Sequence, residues 1–315
     1  MARRKSTRGS KIQPSVMTLA FALPSGAAQS TIDLSQVASI VNRRFYRQGI
    51  NWAVAGFKVV SPSGVTGSMS IAQLPNTWVM SNAWEKTFRA WQRQQRESLE
   101  DGQQESVRAK FNDFKIYADS AHLIAGVASN LLPVDFAGAL YAPGEWDMSQ
   151  IVIPNFGTPG NNYEPFITAV GDDVGGAGGS ISAVKAYANS RGVPQSPDPA
   201  VPGTVLSTAN FLNLMFDVGD NNTDVLANVV GKNDDLPYTQ VDYPGADVQA
   251  PTMQYHDSAL ISGTTIGGIT QLKGGNFPCG LVRIASSLSG EDTLLQINLI
   301  PGNHRGYLCE PMTEM

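Results

Sequence analysis

The longest regular pattern of hydrophobic and polar residues lies between Leu74 and Gly102. Large apolar side chains recur there at helical spacing: Trp84, Phe88, Trp91 and Leu99. Asn82 followed by Glu85 resembles a capping box, in which both side chains satisfy backbone donors of the first turn. Gly102 is typical of the residue that ends a helix. The pattern therefore predicts one long α-helix over about residues 82–101, with its aromatic stripe in the core.

Basic residues occupy the other faces of this predicted helix: Lys86, Arg89, Arg93 and Arg96. One interpretation is a solvated face with ion pairs four residues apart, such as Glu85 with Arg89 and Arg93 with Glu97. The other is a contact with nucleic acid. The first is the commoner use of such a face, and both stay open from the sequence.

Short runs of alternating apolar residues fill most of the remaining chain and predict β-strands. One such strand, broken near Gly56, carries its apolar residues at Trp52, Val54, Phe57 and Val59. In the next predicted strand the alternating apolar residues are Met69 and Ile71. In FNDFKIYAD, Phe114 and Ile116 share one face of a predicted strand, with Lys115 on the other. Further strand-like runs are SQIVIPN, YEPFITAV, SISAVKAYA, ALISGTTI, GLVRIA and TLLQINLI.

Glycine and proline clusters separate these runs and predict loops. They lie at residues 175–179, 193–203 and 274–276. An apolar cluster within Ser207 to Phe216 predicts a second, shorter helix. The sequence shows no internal repeat.

Composition supports a β-rich fold. A chain of 315 residues with 42% apolar residues can bury the core of one elaborated β domain or two ordinary ones. Charged residues make up only 16% of the chain, below the usual ~25%, while the 31 glycines and 19 prolines fall between the strands. Irregular strand spacing, long loops and one inserted helix favour an all-β viral jelly-roll sandwich, formed as a single domain over residues 15–315, over a propeller or a small barrel.

The charge is distributed unevenly along the chain. Residues 1–47 hold eight Lys and Arg against one acid, Asp33, although the whole chain has a net charge of -5. The basic residues are Arg3, Arg4, Lys5, Arg8, Lys11, Arg43, Arg44 and Arg47. Residues 1–14 lack apolar periodicity, which predicts a disordered basic arm. A basic arm on an acidic body is typical of a chain whose arm meets a polyanion, so these eight residues are the candidate nucleic-acid-binding residues. Arg43, Arg44 and Arg47 have ion pairing with the acidic body as an alternative use.

The N-terminal region has a second interpretation. The apolar run VMTLAFAL lies between a basic stretch and the small residues PSGAAQS, which is also the layout of a secretory signal. Its larger residues alternate as in a strand: Met17, Leu19, Phe21 and Leu23. We therefore predict an arm that leads into a first strand, with a signal peptide over residues 1–28 as the alternative.

Catalytic and cofactor motifs are lacking. The chain contains no G-x-S-x-G, H-E-x-x-H, P-loop or G-x-G-x-x-G pattern, so we expect neither an enzyme nor a cofactor or metal site. Its three histidines, His122, His256 and His304, are far apart in sequence, and its two cysteines, Cys279 and Cys309, read as free thiols. Acidic loops such as 217–224 lack the ligand spacing of an EF-hand and favour solvated loops over Ca²⁺ sites. No apolar window of about eighteen residues predicts a membrane span.

Several stretches together resemble a known class of protein. They are NRRFYRQGINWAVAG, LPNTWVMSNAWEKTFRAWQRQQ, FKIYAD, GEWDMSQIVIPN, TTIGG with KGGNFPCGLVRI, and PGNHRGYLCEPM. This pattern is similar to the capsid proteins of small circular single-stranded DNA viruses that encode a replication initiator. The resemblance spans most of the chain. One departure is that the arm is short and light in arginine compared with that of circoviruses.

The resemblance implies a structural subunit with a viral jelly-roll fold. Identical copies would form an icosahedral shell, with the arms directed inward to single-stranded DNA and loops outward to a host receptor. The protein would then reside in the virion, after assembly in the host cell, its nucleus included. Two alternatives stay open. One is a secreted β-sandwich that binds carbohydrate or a similar ligand, and the other is a double jelly-roll coat protein of a bacteriophage, for which 315 residues leave little room.

Overall fold

A computed structural model describes most of the chain. It covers residues 14–102, 106, 112–154, 162–176, 178–191, 212, 252–263, 268–290 and 292–315. The five basic residues of the predicted arm lie outside the described residues, and so does the helix predicted near residue 211, apart from Leu212.

The described residues form one long α-helix, three short ones and many strands. In chain order the strands are β1 (Thr18–Leu23), β2 (Gly26–Asp33), β3 (Ile50–Val60), β4 (Thr66–Gln73), β5 (Ile153–Pro154), β6 (Asn162–Tyr163), β7 (Phe166–Thr168), β8 (Ser180–Ser182), β9 (Gln254–Ile261), β10 (Ile269–Phe277), β11 (Leu281–Ser289), β12 (Thr293–Leu299), β13 (Pro301–Gly302), β14 (Gly306–Tyr307) and β15 (Cys309–Pro311). The α-helices are α1 (Leu34–Asn42), α2 (Trp78–Asp101), α3 (Ser120–Ala125) and α4 (Ala183–Arg191). Single 3₁₀ turns occur at Val127–Ser129, Pro278–Gly280 and Met312–Glu314.

The longer strands make two antiparallel sheets. One sheet has the order β1-β12-β3-β10, with β15 paired to the start of β3, and the other has the order β2-β11-β4-β9. Strands from the two ends of the chain pair in reverse order: β1 with β12, β2 with β11, β3 with β10 and β4 with β9. The prediction of a mostly β fold is confirmed.

A common apolar core lies between the two sheets. Alternate residues of both sheets contribute to it: Leu19, Phe21, Ile32, Val54, Phe57, Val59, Met69, Ile71, Ile284, Leu295 and Ile297. The period-2 pattern in β3 and β4 predicted these buried faces. A register shift in the pairing of β12 with β3 leaves Ala55 without a partner on β12, so the break predicted near Gly56 is a β-bulge.

The connection from β4 to β9, residues 74–253, carries α2, α3 and α4. The prediction that α2 begins at Asn82 is wrong. Thr77 caps the helix, because its hydroxyl accepts the Met80 N–H at 3.4 Å, and Asn82 lies inside the helix with its amide directed to the hydroxyl of Tyr187. The helix ends before Gly102, as predicted.

The aromatic stripe of α2 packs into a second core. Trp84 is buried, Phe88 and Trp91 are partly buried against it, and all three rings contact each other or Phe114. A Cβ at Gly49 would lie 2.1 Å from the Trp84 ring, so this contact requires glycine. The prediction that the stripe is core is confirmed for Trp84, Phe88 and Trp91, whereas Leu99 is half-buried and outside this core.

Three local predictions are wrong. The segment around Phe114 and Ile116 is not a strand: it is extended and buried on both faces, including Lys115, and Tyr117 makes a single bridge to Thr168. Lys115 stays in the interior because its ammonium group pairs with Asp113 at 2.6 Å and lies 4.6 Å from the Trp146 ring centroid.

The run SISAVKAYA is a strand only over β8, and its remainder is α4. Ala183, Val184, Ala186 and Tyr187 are buried at helical spacing, and alanine is the best helix former. The glycines at 274–276 lie within β10 rather than in a loop. Side chains would not fit there, because a Cβ at Gly274 would lie 2.2 Å from the Val54 carbonyl oxygen and one at Gly275 would lie 2.7 Å from the His256 ring.

A buried ion pair attaches the β4–β9 connection to the sheets. Arg283 on β11 donates two hydrogen bonds of 2.7 Å to the carboxylate of Asp119, which precedes α3. Asp119 also accepts the His122 N–H and caps that helix. The His122 ring accepts the Ala118 N–H on Nδ1 and contacts Asn130 through Nε2, and burial lowers its pKa to about 4. His122 is therefore a structural, neutral side chain.

Replacing Asp119 with asparagine should destabilise the protein by roughly 3–5 kcal/mol, because it leaves the buried Arg283 charge without compensation. Glu97→Gln is the matched control. It removes the partner of Arg93 in an ion pair whose side chains are 50% and 58% exposed, and should cost less than about 1 kcal/mol. Chemical denaturation followed by circular dichroism measures both. Equal losses would show that the Asp119–Arg283 pair does not hold the connection in place.

Candidate nucleic-acid interface

Three of the candidate basic residues lie in the turn that follows α1. The helix begins after Asp33, whose carboxylate accepts the N–H groups of Ser35 and Gln36. It ends at Arg43, which takes a left-handed conformation with φ of 52°. Arg43 and Arg47 are exposed, and Arg44 is half-buried. The turn therefore presents three guanidinium groups within five residues of chain.

Arg44 connects this turn to the first described residues of the chain. Its guanidinium donates to the Pro14 carbonyl at 3.0 Å and to the Ser15 hydroxyl at 3.3 Å. The backbone N–H of Val16 donates to the side chain of Asn42 at 3.1 Å. The chain that leads from the predicted arm into β1 thus starts beside the arginines.

The hairpin of β13 and β14 brings further basic groups to the same place. Its turn contains His304 and Arg305, and Arg305 has a left-handed φ of 50°. The Arg305 guanidinium donates to the Phe45 carbonyl, while its own carbonyl accepts the hydroxyls of Ser15 and Tyr46, each at 2.9 Å. We name the whole set the basic cluster: Arg43, Arg44, Arg47, His304 and Arg305.

Three buried aromatic side chains pack together next to the two turns that carry the basic cluster. The rings of Tyr46, Trp52 and Tyr307 are buried, with centroids 5.3–5.9 Å apart. The Tyr307 hydroxyl donates to the Val16 carbonyl at 2.7 Å and accepts from Asn42, and burial raises the pKa of Tyr307 to about 12. These contacts fix both turns on a rigid base.

The electrostatic environment of the basic cluster is positive. Burial, followed by the charges of Arg305 and Arg47, lowers the pKa of His304 from its ordinary value of 6.5. Arg43, Arg44 and Arg47 form no salt bridge with any acidic side chain that the structure describes. Ion pairing with the acidic body, the alternative use of these arginines, is thus not observed among the described residues.

Sequence reasoning selected part of this site. It named Arg43, Arg44 and Arg47 together with the arm, and the structure places them beside the first described residues after that arm. It missed His304 and Arg305, because no local pattern links a turn near the C-terminus to one near residue 45. The arm residues Arg3, Arg4, Lys5, Arg8 and Lys11 cannot be placed, since they are not among the described residues.

Other charged groups are used within the fold. On α2, Arg89 pairs with Glu85 at 2.5 Å and Arg93 pairs with Glu97 at 2.7 Å, as the solvated-face interpretation predicted. The acidic pair Asp172 and Asp173 lies 3.9 and 3.6 Å from the ammonium group of Lys185. In the described part of the chain, no His, Cys, Asp and Glu side chains gather as a metal site, and no helix is long and apolar enough to cross a membrane.

Comparisons with known proteins give no relative from which a function could be transferred. No family model matches the chain, no curated protein is significantly similar to it, and no solved structure matches its fold significantly.

Replacing Arg43 and Arg47 with glutamine should weaken binding of a single-stranded oligonucleotide and lower its salt slope, d log K/d log[salt], by about 1.4. This follows from the loss of ~0.7 per phosphate contact. The control is Arg93→Gln with Arg96→Gln, which removes the same charge from α2. Fluorescence anisotropy titrations over a range of salt concentrations measure both. Equal slopes for the two variants would remove the basic cluster from the interface.

Proposed function

We propose that this protein is the capsid subunit of a small virus and that it packages single-stranded DNA. One observation carries the proposal. The basic cluster lies beside Pro14 and Ser15, at the point where the basic N-terminal segment ends. Arg3, Arg4, Lys5, Arg8 and Lys11 precede Pro14 and Ser15 in the chain, and these two residues contact the basic cluster. A polyanion bound by the N-terminal segment would therefore be held near the basic cluster.

The strand order supports a jelly-roll fold for this subunit. Pairing β1 with β12, β2 with β11, β3 with β10 and β4 with β9 is the pattern of one long hairpin that has rolled up. Eight such strands in two sheets make a jelly roll, the fold of many viral capsid proteins but also of lectins and cupins. The fold is therefore compatible with a shell subunit, and the basic cluster is what favours one.

The position of β1 supports an arm over a signal peptide. Phe21 is fully buried between the sheets, and all six residues of β1 pair with β12. Cleavage near residue 28 would remove this strand, leave the backbone edge of β12 unpaired and uncover the part of the core that Phe21 fills. In the proposed function the residues before β1 are the basic arm, and the strand itself belongs to the fold.

The proposed binding mechanism requires no active site. Each arginine or lysine near a phosphate releases a condensed counterion, which gives an affinity that does not depend on sequence and falls with salt. The guanidinium groups of Arg43 and Arg47 are exposed, so they can pair with phosphate oxygens. Many such weak contacts, repeated on identical subunits, retain a genome while the subunit contacts form the shell.

Expression of the chain followed by electron microscopy tests the shell role. Closed particles that contain single-stranded DNA are the expected result.

Deletion of residues 2–11 should leave the circular dichroism spectrum unchanged, lower the nucleic-acid content and reduce the salt slope by about 3 to 4, since it removes five basic groups. Parallel titrations with single-stranded RNA show whether the affinity is specific for DNA. A purified chain that stays monomeric, or an unchanged slope, would contradict the proposal.

Binding of DNA should also raise the pKa of His304, so that this side chain takes up a proton when the complex forms. Its pKa lies below 6.5 in the free protein because of burial and two neighbouring arginines, and phosphates beside it would raise the pKa. The complex then holds more protons than the free protein at pH values between the free and the bound pKa of His304, so affinity should increase as the pH falls through that range. His304→Gln should remove this dependence and leave the affinity at pH 8 unchanged. Affinities measured by anisotropy between pH 5 and 8 test it, and identical pH profiles for the two proteins would contradict it.

A further inference from the structure

A phenylalanine lies among the arginines of the basic cluster. Arg43, Phe45 and Arg47 are exposed, whereas Arg44 is half-buried and Tyr46 is fully buried. Alternating exposure of this kind is typical of an extended segment, in which successive side chains point to opposite sides. Phe45 and Arg47 therefore share the outer side of the segment, and Tyr46 anchors it on the inner side.

Hydrogen bonds fix the backbone on both sides of Phe45. The Arg44 N–H donates to the Ser39 carbonyl at 3.3 Å, and the Tyr46 N–H donates to the Ser39 hydroxyl at 2.9 Å. The Phe45 carbonyl itself accepts the guanidinium of Arg305. Phe45 is nevertheless 36% exposed. The fold thus holds a large apolar ring at the surface through contacts with α1 and with the hairpin of β13 and β14.

The surroundings of the Phe45 ring are positively charged. Arg44 precedes it, Arg47 follows two residues later, and Arg305 reaches its carbonyl from the C-terminal hairpin. The one acidic residue within positions 1–47, Asp33, is buried. Cations that follow the phosphates and an aromatic ring on which a base stacks are the two elements of sites that bind single-stranded nucleic acids.

The arginines alone do not explain a preference for single strands. Guanidinium groups contact phosphates, which are present in single and double strands alike. The duplex has the denser charge, and its salt slope per phosphate contact is about 0.9 against about 0.7 for a single strand. In a duplex, moreover, both faces of an internal base are covered by its stacked neighbours. A site that selects single strands therefore needs a group that recognises a free base face.

From this placement we infer that Phe45 is the base-stacking residue of the basic cluster. Its ring packs against the face of an unpaired base, while Arg43 and Arg47 contact phosphates of the same strand. The inference rests on the proposed function and names the chemical feature by which the site selects a single strand. Because the ring carries no charge, its effect on affinity is separable from that of the arginines.

Two strands with the same number of phosphates test the inference: an oligothymidylate and an abasic strand of equal length. In anisotropy titrations of the full chain, the wild type should bind the oligothymidylate about fivefold or more tightly, the usual effect of one base stacked on an aromatic ring. Phe45→Ala and Phe45→Leu should lose this preference and keep the salt slope, since no charge is removed. Phe45→Tyr, which retains an aromatic ring, should keep the preference.

Two further variants serve as matched controls. Phe136→Ala removes another exposed phenylalanine, from a stretch, residues 116–184, that contains no lysine or arginine, and it should bind both strands like the wild type. Arg43→Gln with Arg47→Gln should show the opposite pattern to the Phe45 variants, with a lower salt slope and a preserved preference for the strand with bases. Circular dichroism checks that each variant is folded.

Phe45→Trp gives a second measurement that does not depend on the stability of the smaller variants. A base stacked on the indole quenches its fluorescence, so the oligothymidylate should quench the emission of this variant more than that of the wild type. The abasic strand should not. Equal quenching of the variant and the wild type by the oligothymidylate would contradict the inference.

The remaining outcomes separate this inference from the proposed function. A wild type that binds both strands equally, with a clear salt slope, would overturn only the stacking role. So would Phe45→Ala with an unchanged preference for bases, or Phe45 variants that bind both strands like the wild type but form no particles, since Phe45 would then be a subunit contact. A wild type without salt-dependent binding to either strand would overturn the proposed function as well.

Discussion

The buried carboxylate of Asp33 fixes how the chain leaves the first pair of strands, and the basic cluster depends on it. One oxygen accepts the N–H groups of Ser35 and Gln36 and starts α1. The other accepts the side chains of Gln48, just before β3, and of Trp146, in the long connection, at 3.0 and 3.1 Å. One side chain therefore sets both ends of the α1 segment, and the arginines lie between those ends.

Asp33 can hold this position because its hydrogen bonds replace water. Burial raises its pKa to about 6, so at neutral pH the group is ionised, and four N–H donors surround the charge. Gln48 also donates to the Ile116 carbonyl and accepts the Ile116 N–H, which connects the same site to the β4–β9 connection. Asp33 and Gln48 thus join α1, the start of β3 and the β4–β9 connection through buried hydrogen bonds.

Much of the sandwich could be predicted from the sequence because its strands have one buried face. Met69, Ile71, Phe57 and Val59 alternate as that geometry requires. Outside α2 the β4–β9 connection was harder to predict, because the segment Phe114–Tyr117 is buried on both faces and carries no period. Lys115 is the clearest example: it was predicted on the opposite strand face from Phe114 and Ile116, and it is buried beside them, where Asp113 pairs with its ammonium group and the Trp146 ring packs against it. The cap of α2 was missed because Asn82 imitates one, while the hydroxyl that acts is that of Thr77.

The basic cluster could be predicted only in part, because it is assembled by tertiary contacts. Arg43, Arg44 and Arg47 are neighbours in sequence, whereas Arg305 reaches them through the hydroxyls of Ser15 and Tyr46 that bind its carbonyl. This assembly bears on the short, arginine-poor arm. Residues 48–315 carry an excess of acidic groups in the sequence. Under the proposed function, the arginines that the fold places beside Pro14 and Ser15 would add positive charge where the arm is short, and the net negative charge of the remaining chain would disfavour a polyanion elsewhere.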